Sequence, residues 1–340
     1  MRLVAYAGIF WLSAQYGRDP ANARQILWCI ALAGIAYASY GLSVYTSGNE
    51  TILGDKKWAS HGDLTSTFVG RAAYGAYAGI GLLTILALML HSASQAARSA
   101  AKKEQRLIEA IPPSVYCLIC GSIIVATAMM LTRSRGAVLV TAIGAAVMLA
   151  ILIGRSKNRR RSLSGIALLV FGAGFVVLEV SGQATLGRVL KLANQGTGRD
   201  TVHDLAWRMI DAAPFTGHGL GSFAQLFYQF RDSSVPWFAP RYDKVHSVYI
   251  ELIVDLGYLG FGLLALALLL ILARIIIGIR TRRRNSIFSV LGLGITIMLG
   301  IQNTLDFTIQ IPAIAATYAA ILGTAFAQSW PSQDRSIKKR

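Results

Sequence analysis

The feature that most constrains this chain is the recurrence of apolar stretches of about 20 residues, the length one helix needs to cross the roughly 30 Å hydrocarbon core of a bilayer. Eight segments have that character: 26–46, 72–91, 114–132, 136–154, 163–180, 247–273, 286–305 and 311–328. A ninth, residues 3–14, is too short to span and reads as the tail of a helix, so the N-terminal helices are expected to be truncated at their start. Charged residues are 14% of the 340, where ordinary soluble domains carry about 25%. That is too little charge to cover a water-soluble protein of this size, and a soluble enzyme is excluded.

The formal net charge of +17 raises nucleic-acid binding as a function. The placement of the charge removes it, because the basic residues fall in short blocks between apolar segments, as cytoplasmic connections do. The blocks are Arg98, Lys102, Lys103 and Arg106; Arg155, Lys157, Arg159, Arg160 and Arg161; Arg274, Arg280, Arg282, Arg283 and Arg284; and Arg335, Lys338, Lys339 and Arg340. With these inside, the stretches 47–71, 133–135, 181–246 and 303–310 face outward and the C-terminus is cytoplasmic. Cys29, Cys117 and Cys120 lie inside apolar runs, so the CxxC spacing of the last two reads as membrane-core packing and not as a redox or metal site.

The predicted organisation is therefore an all-α integral membrane protein of eight to nine spanning helices: N-terminal helices over 1–180, an extracytoplasmic domain over 181–245, C-terminal helices over 246–328 and a basic tail over 329–340. Connections are ordinarily about 4 to 6 residues long, so the large outer loop is a place to look for function. It holds Arg188, Lys191, Arg199, Arg208, Arg231, Arg241 and Lys244 on the side where the positive-inside rule disfavours them, which points to an anionic partner. Within it, Asp200–Ala213 has amphipathic helical spacing through Val202, Leu205, Trp207, Met209 and Ile210, and Pro214 ends it. The run Gly217-His218-Gly219-Leu220-Gly221 is turn-rich; its amides offer either plain turns or an anion-binding nest.

Three constellations carry chemistry. Arg133 and Arg135, in the run Thr132 to Gly136, stand between two apolar helices, where each needs water, a snorkelling path or an anion. The alternative reading is a solvated turn. His246, at the start of the helix from Ser247, has the side chain best suited to exchange protons near neutrality. Glu251 and Asp255 follow it four residues apart on one face and must point into the bundle or a wet cavity. His61, His91, His203 and His218 compete with His246 but read more simply as loop or interface residues. Asn303, Asp306 and Gln310 lie near the last outward turn, where Pro312 accounts for the helix start without function.

Together these residues resemble the bacterial O-antigen ligases and the related O-antigen and exopolysaccharide polymerases, polytopic glycosyltransferases of the GT-C type. The resemblance rests on Thr132-Arg133-Ser134-Arg135-Gly136; on Gly198-Arg199 through Trp207 to Pro214-Phe215-Thr216-Gly217-His218-Gly219-Leu220-Gly221-Ser222-Phe223; on His246-Ser247 through Glu251 to Asp255-Leu256-Gly257-Tyr258-Leu259-Gly260; and on Asp306-Phe307-Thr308-Ile309-Gln310-Ile311-Pro312. A fifth segment, Ser66 to Arg71, is similar to the family's pattern but has Gly70 and Ala72 where asparagines are expected.

The resemblance implies a multi-pass protein of the bacterial inner membrane with its large loop in the periplasm. It would transfer a glycan from an undecaprenyl-pyrophosphate carrier to a hydroxyl acceptor such as lipid A core. It implies that Arg135 and Arg199 hold the donor pyrophosphate and that His246 activates the acceptor hydroxyl. Arg133, Arg71, Glu251, Asp255, His218 and Asp306 would support them. The expected reaction inverts the anomeric centre and needs neither metal nor cofactor; the expected partners are the lipid-linked glycan, the acceptor and membrane lipid, with no nucleic acid. The alternatives are a polymerase of the same family, whose acceptor is another glycan, and a transporter or flippase of lipid-linked glycan. A transporter's signature is broken helices at the bilayer midplane between repeated halves.

Overall fold

The structure, a computed structural model, describes residues 2–103, 112–154, 198–231, 243–282 and 285–330. The expected span at 163–180, the basic block from Arg155 to Arg161, and Arg106, Arg188, Lys191, Arg241, Arg283, Arg284 and residues 331–340 lie outside the described residues.

The described elements are α1 (Arg2–Tyr16), α2 (Pro20–Thr46), a hairpin of β1 (Thr51–Ile52) and β2 (Asp55–Lys56), α3 (Arg71–Lys103), α4 (Ser114–Leu131), α5 (Arg135–Gly154), α6 (Gly198–Ala212), α7 (Phe223–Phe230), α8 (Val248–Thr281), α9 (Ile287–Leu305), a 3-10 turn (Thr308–Gln310) and α10 (Pro312–Ala327). Apart from the two-residue strands, which pair antiparallel, every described element is helical. Local signals set several starts. Asp19 caps α2 by accepting from the Ala21 amide at 2.8 Å, with Pro20 in the first turn. Pro312 opens α10 in the same way.

Six helices among the described residues, α2, α3, α4, α5, α8 and α9, are long and apolar enough to cross a membrane. The helix expected over 311–328 is α10, of 16 residues, which follows the 3-10 turn. Two expectations are corrected. The spans expected over 72–91 and 247–273 run on to Lys103 and Thr281, so Arg98, Arg274 and Arg280 are helical and not in connections. Arginine and lysine are good helix formers whose stems cover apolar surface while their charged ends reach water. Residues 3–14 belong to a helix of 15 residues that packs along α10, with the Phe10 carbonyl close against Gly323.

The core is built around α3, which packs against α2, α4, α5 and α9 and buries Tyr74, Ile80, Leu83 and Leu88 almost completely. In lipid there is no hydrophobic drive between helices, so association depends on close packing over small residues. At the α5–α9 crossing, a Cβ added to Gly144 would stand 3.1 Å from the Gly294 carbonyl oxygen and 2.9 Å from Leu83. On α8 the leucines at 259, 263, 266, 269 and 270 are exposed, an unpacked apolar face suited to lipid. Cys29, Cys117 and Cys120 are also exposed along apolar helices.

The helices define two ends. At one, α2, α4 and α9 finish and α3, α5, α8 and α10 begin; at the other lie Arg18, Arg24, Arg98, Arg280 and Arg282. There Arg274 donates to the Ser329 carbonyl at 2.7 Å and lies over the Trp330 ring, Arg282 donates to the Gln328 carbonyl, and Gln328 donates to the Gly17 carbonyl at 2.7 Å.

Substituting Gly144 by Val should separate α5 from α9. The expected loss is about 1–3 kcal/mol, the usual cost of overpacking, read as a lower melting temperature of detergent-purified protein; an unchanged melting temperature would mean that the crossing is looser than described.

Candidate functional site

The start of α8 is interrupted. Gly257 has φ 65° and ψ 177°, far from helical values. In an unbroken helix Tyr258 and Leu259 would donate to the carbonyls of Val254 and Asp255. Instead the Tyr258 amide donates to the Pro214 carbonyl at 2.7 Å, and the Leu259 amide reaches the Phe215 carbonyl at 3.4 Å. The released carbonyls of Val254 and Asp255 accept from His218 and Gly219 at 2.9 and 2.8 Å. The segment 214–219 thus replaces missing rungs of the helix, so these four backbone groups are bonded. Glycine is required at the crossing: a Cβ on Gly257 would collide with the Phe215 carbonyl, and one on Gly217 with the Asp255 carbonyl.

The same contact accounts for the glycine run and for the buried Asp255. Gly217, Gly219 and Gly221 all have positive φ. The Gly221 amide donates to the Asp255 side chain at 2.8 Å and the Ser222 hydroxyl donates to it at 3.2 Å. The anion of this nest is therefore Asp255 itself, and the amides of 218, 219 and 221 are occupied from within the protein. Asp255 and Glu251 are both buried, at 5% and 2% exposure, as their place on one helix face predicts.

His218, one of the expected supporting residues, donates from Nε2 to the Met209 carbonyl at 2.7 Å; a carbonyl only accepts, so that nitrogen carries the proton. The amphipathic helix expected over Asp200–Ala213 is α6, with one correction: Trp207 is 45% exposed, while Val202, Leu205, Ala206, Met209 and Ile210 are buried. Positions 202, 205, 206, 209 and 210 make a regular helical stripe, and 207 falls off it. That stripe packs with Phe223, Phe227, Val245 and Val254 into a second, smaller core that seats α6 and α7 on α8. Arg199 lies in the first turn of α6.

His246 sits in a turn held from both sides. Its φ is +61°, a left-handed conformation costing about 1–3 kcal/mol for a non-glycine residue unless its surroundings enforce it. Glu251 supplies that enforcement: its carboxylate accepts from Lys244 at 2.8 Å and from the Val245 amide at 3.3 Å. His203 donates to the Val245 carbonyl at 3.1 Å. The imidazole of His246 lies edge-on to Phe307, with centroids 5.4 Å apart. Phe307 is held by its own turn, where the Asp306 side chain accepts the Phe307 amide at 2.8 Å. Asn303 accepts from Thr308 and from the Ile309 amide at 3.1 and 3.0 Å. Gln310 is part of this turn; its side-chain oxygen is buried and unbonded.

The other expected arginines gather at the same end of the bundle. Asp63, 6% exposed, accepts from Arg71 at 3.0 Å and stands 3.8 Å from Arg133, joining the start of α3 to the turn before α5. Arg133 has φ +53°; Thr132 holds the turn by accepting from the Ser134 amide at 3.1 Å, and Arg135 opens α5. The connection that carries Asp63 is docked on this turn, since the Leu64 amide donates to the Leu131 carbonyl at 3.1 Å. Behind Asp63, Lys57 donates to its carbonyl at 2.6 Å and pairs with Glu50, which also accepts from the Gly62 amide at 2.8 Å. The Gly62 hydrogen bond first, and Lys57 with it, hold the Glu50 carboxyl below the usual carboxylate range against the opposing effect of burial.

Sequence reasoning missed Asp63 and the roles of Phe307 and Lys244, whereas His203, read as a loop or interface residue, is one. The only signal for Asp63 was an acidic residue in an outward loop, with nothing to tie it to arginines 8 and 70 residues away.

Residues 120–265 match the family model described as O-antigen ligase. The match takes in Arg133, Arg135, Arg199, His218, His246, Glu251 and Asp255, and leaves Arg71 and Asp306 outside it. No curated protein matches the chain.

Replacing Gly257 by Ala should unseat the loop from α8 while the bundle stays folded. The expected readout is faster tryptic cleavage at Arg208 or Arg231 with the helical circular-dichroism signal retained; equal cleavage of variant and wild type would refute the exchange of hydrogen bonds. Because the Glu50 carboxyl is lowered in the folded state, its bracing is complete above the ordinary carboxylate range and is lost as pH falls through the lowered value. Intrinsic-rate-corrected amide exchange should show Gly62 protected at pH 5, deprotected on further acidification, and deprotected at pH 5 in Glu50→Gln.

Proposed function

We propose that this protein, on the premise of the O-antigen ligase domain over residues 120–265, is a glycosyltransferase. It moves a glycan from an undecaprenyl-pyrophosphate carrier to an acceptor hydroxyl, of lipid A core or a similar glycolipid, at the periplasmic face of the inner membrane. The observation that carries this reading is the pinned, strained turn of His246 at the end of the bundle that also presents Arg71, Arg133 and Arg135.

His246 accepts the proton of the acceptor hydroxyl as its oxygen bonds to the anomeric carbon of the donor sugar. The bond from that carbon to the pyrophosphate oxygen breaks, the centre inverts, and undecaprenyl pyrophosphate leaves. Positioned general bases contribute about 10² to 10⁴ in rate. Arg135 and Arg199 meet the charge that grows on the leaving pyrophosphate, a task for planar, permanently charged, bidentate donors. Arg133 and Arg71 are oriented by Asp63, and Glu251 keeps the backbone before His246 in its turn.

A broken helix is also what transporters use to expose backbone groups to ions or substrates. In this protein the groups freed at Gly257 are bonded by residues 214–219, which favours a structural seat for the loop over a transport site.

The test is transfer in proteoliposomes supplied with undecaprenyl-pyrophosphate-linked oligosaccharide and candidate acceptors, read as released undecaprenyl pyrophosphate and product mass. Wild type should transfer; His246→Ala should lower the rate by about 10² to 10⁴, and Arg135→Ala and Arg199→Ala by about 10² to 10³ each. A lipid A core product identifies a ligase and an elongated glycan a polymerase. Full activity of His246→Ala would overturn the assignment of the base.

A further inference from the structure

At the end of the bundle opposite His246 there is a cavity of about 950 Å³ between α2, α3, α5 and α9. Its lining includes Arg24 and Arg98, both exposed, and the buried His91. The imidazole is fixed, with Nε2 2.9 Å from the Gln95 amide nitrogen and its ring packed on Phe288 at 5.5 Å. Leu90, Leu152 and Ile287 add apolar lining. Two helices start at the cavity. α2 is capped by Asp19, whose carboxylate is engaged by the Ala21 amide, whereas Ser286 at the start of α9 makes no side-chain cap bond.

Each part favours an anion. Guanidinium groups give permanently charged, planar donors for phosphate oxygens, and a helix start adds oriented amides and the positive end of the helix dipole. A lining that joins arginines to apolar side chains also matches the junction between a charged headgroup and its acyl chains, and basic pockets between helices bind anionic lipid headgroups in other proteins. The site is separate from the one proposed for glycan transfer, since α2, α3, α5 and α9 present their other ends there. Under the proposed orientation it lies on the cytoplasmic side.

We propose that this cavity binds a phosphate anion through Arg24 and Arg98, either as the headgroup of an anionic phospholipid or as free phosphate. The test is native mass spectrometry of the full chain in neutral detergent, titrated with dioleoyl phosphatidylglycerol, with dioleoyl phosphatidylcholine, or with inorganic phosphate. The variants are Arg24→Gln/Arg98→Gln and, as a control, Arg280→Gln, an exposed arginine of the same end outside the cavity. The expected result is that the double substitution weakens phosphatidylglycerol binding about tenfold or more, that Arg280→Gln leaves it unchanged, and that phosphatidylcholine binds equally weakly to all forms. If inorganic phosphate binds the wild type and not the double variant while phosphatidylglycerol does not discriminate them, the ligand is the free anion. The proposal is overturned if the double variant binds both phosphatidylglycerol and phosphate like the wild type, or if Arg280→Gln weakens binding as much as the double substitution.

Discussion

The architecture of the end of the bundle that holds His246 depends on one constraint, that a backbone group released inside a helix near lipid must find another partner. Breaking α8 at Gly257 leaves the carbonyls of Val254 and Asp255 and the amides of Tyr258 and Leu259 without their helical partners. Unbonded, each would cost several kcal/mol in hydrocarbon. The segment 214–219 takes all four, and the side chain of Asp255 then gathers Gly221 and Ser222. The loop is therefore integrated into the helix by main-chain bonds instead of resting on it.

That attachment fixes what stands around it. With α6 and α7 seated on α8, His203 reaches the Val245 carbonyl, and Glu251, one turn before Asp255 on the same face, holds Lys244 and the Val245 amide. The two acidic residues divide the labour: Asp255 secures the loop and Glu251 secures the backbone that carries His246. On the other side of the imidazole, Asn303 and Asp306 shape the turn that presents Phe307. A residue in a left-handed conformation is thus restrained through its neighbours on two elements.

The apolar helices were legible because lipid imposes composition directly: α2, α4, α5 and α9 lie close to the stretches read from hydropathy. Their ends were less legible, since arginine continues a helix as readily as it marks a connection, and so α3 and α8 overran their apolar segments. Within the site, His246, Glu251 and the arginines were visible as charged or titratable groups in an apolar setting. Their partners were not. The Asp255–Gly221 bond spans 34 residues, and Asp63 meets Arg133 across a chain reversal that no periodicity encodes. The dense glycines 217, 219 and 221 were readable as turns, but the identity of the anion filling them depended on the kink at Gly257, which looks in sequence like any other glycine of a spanning helix.

The exchange between 214–219 and 254–259 is written almost wholly in main-chain atoms, which makes it a ruler. Phe215 and Leu256 contribute no side-chain hydrogen bond to it, so their identities are open to drift, whereas the count of residues between Pro214 and Gly219, and between Val254 and Leu259, is not. Inserting or deleting one residue in either interval puts all the later bonds out of step at once. Only length changes in stretches that take no part in the exchange keep the loop's seat on α8 in one register.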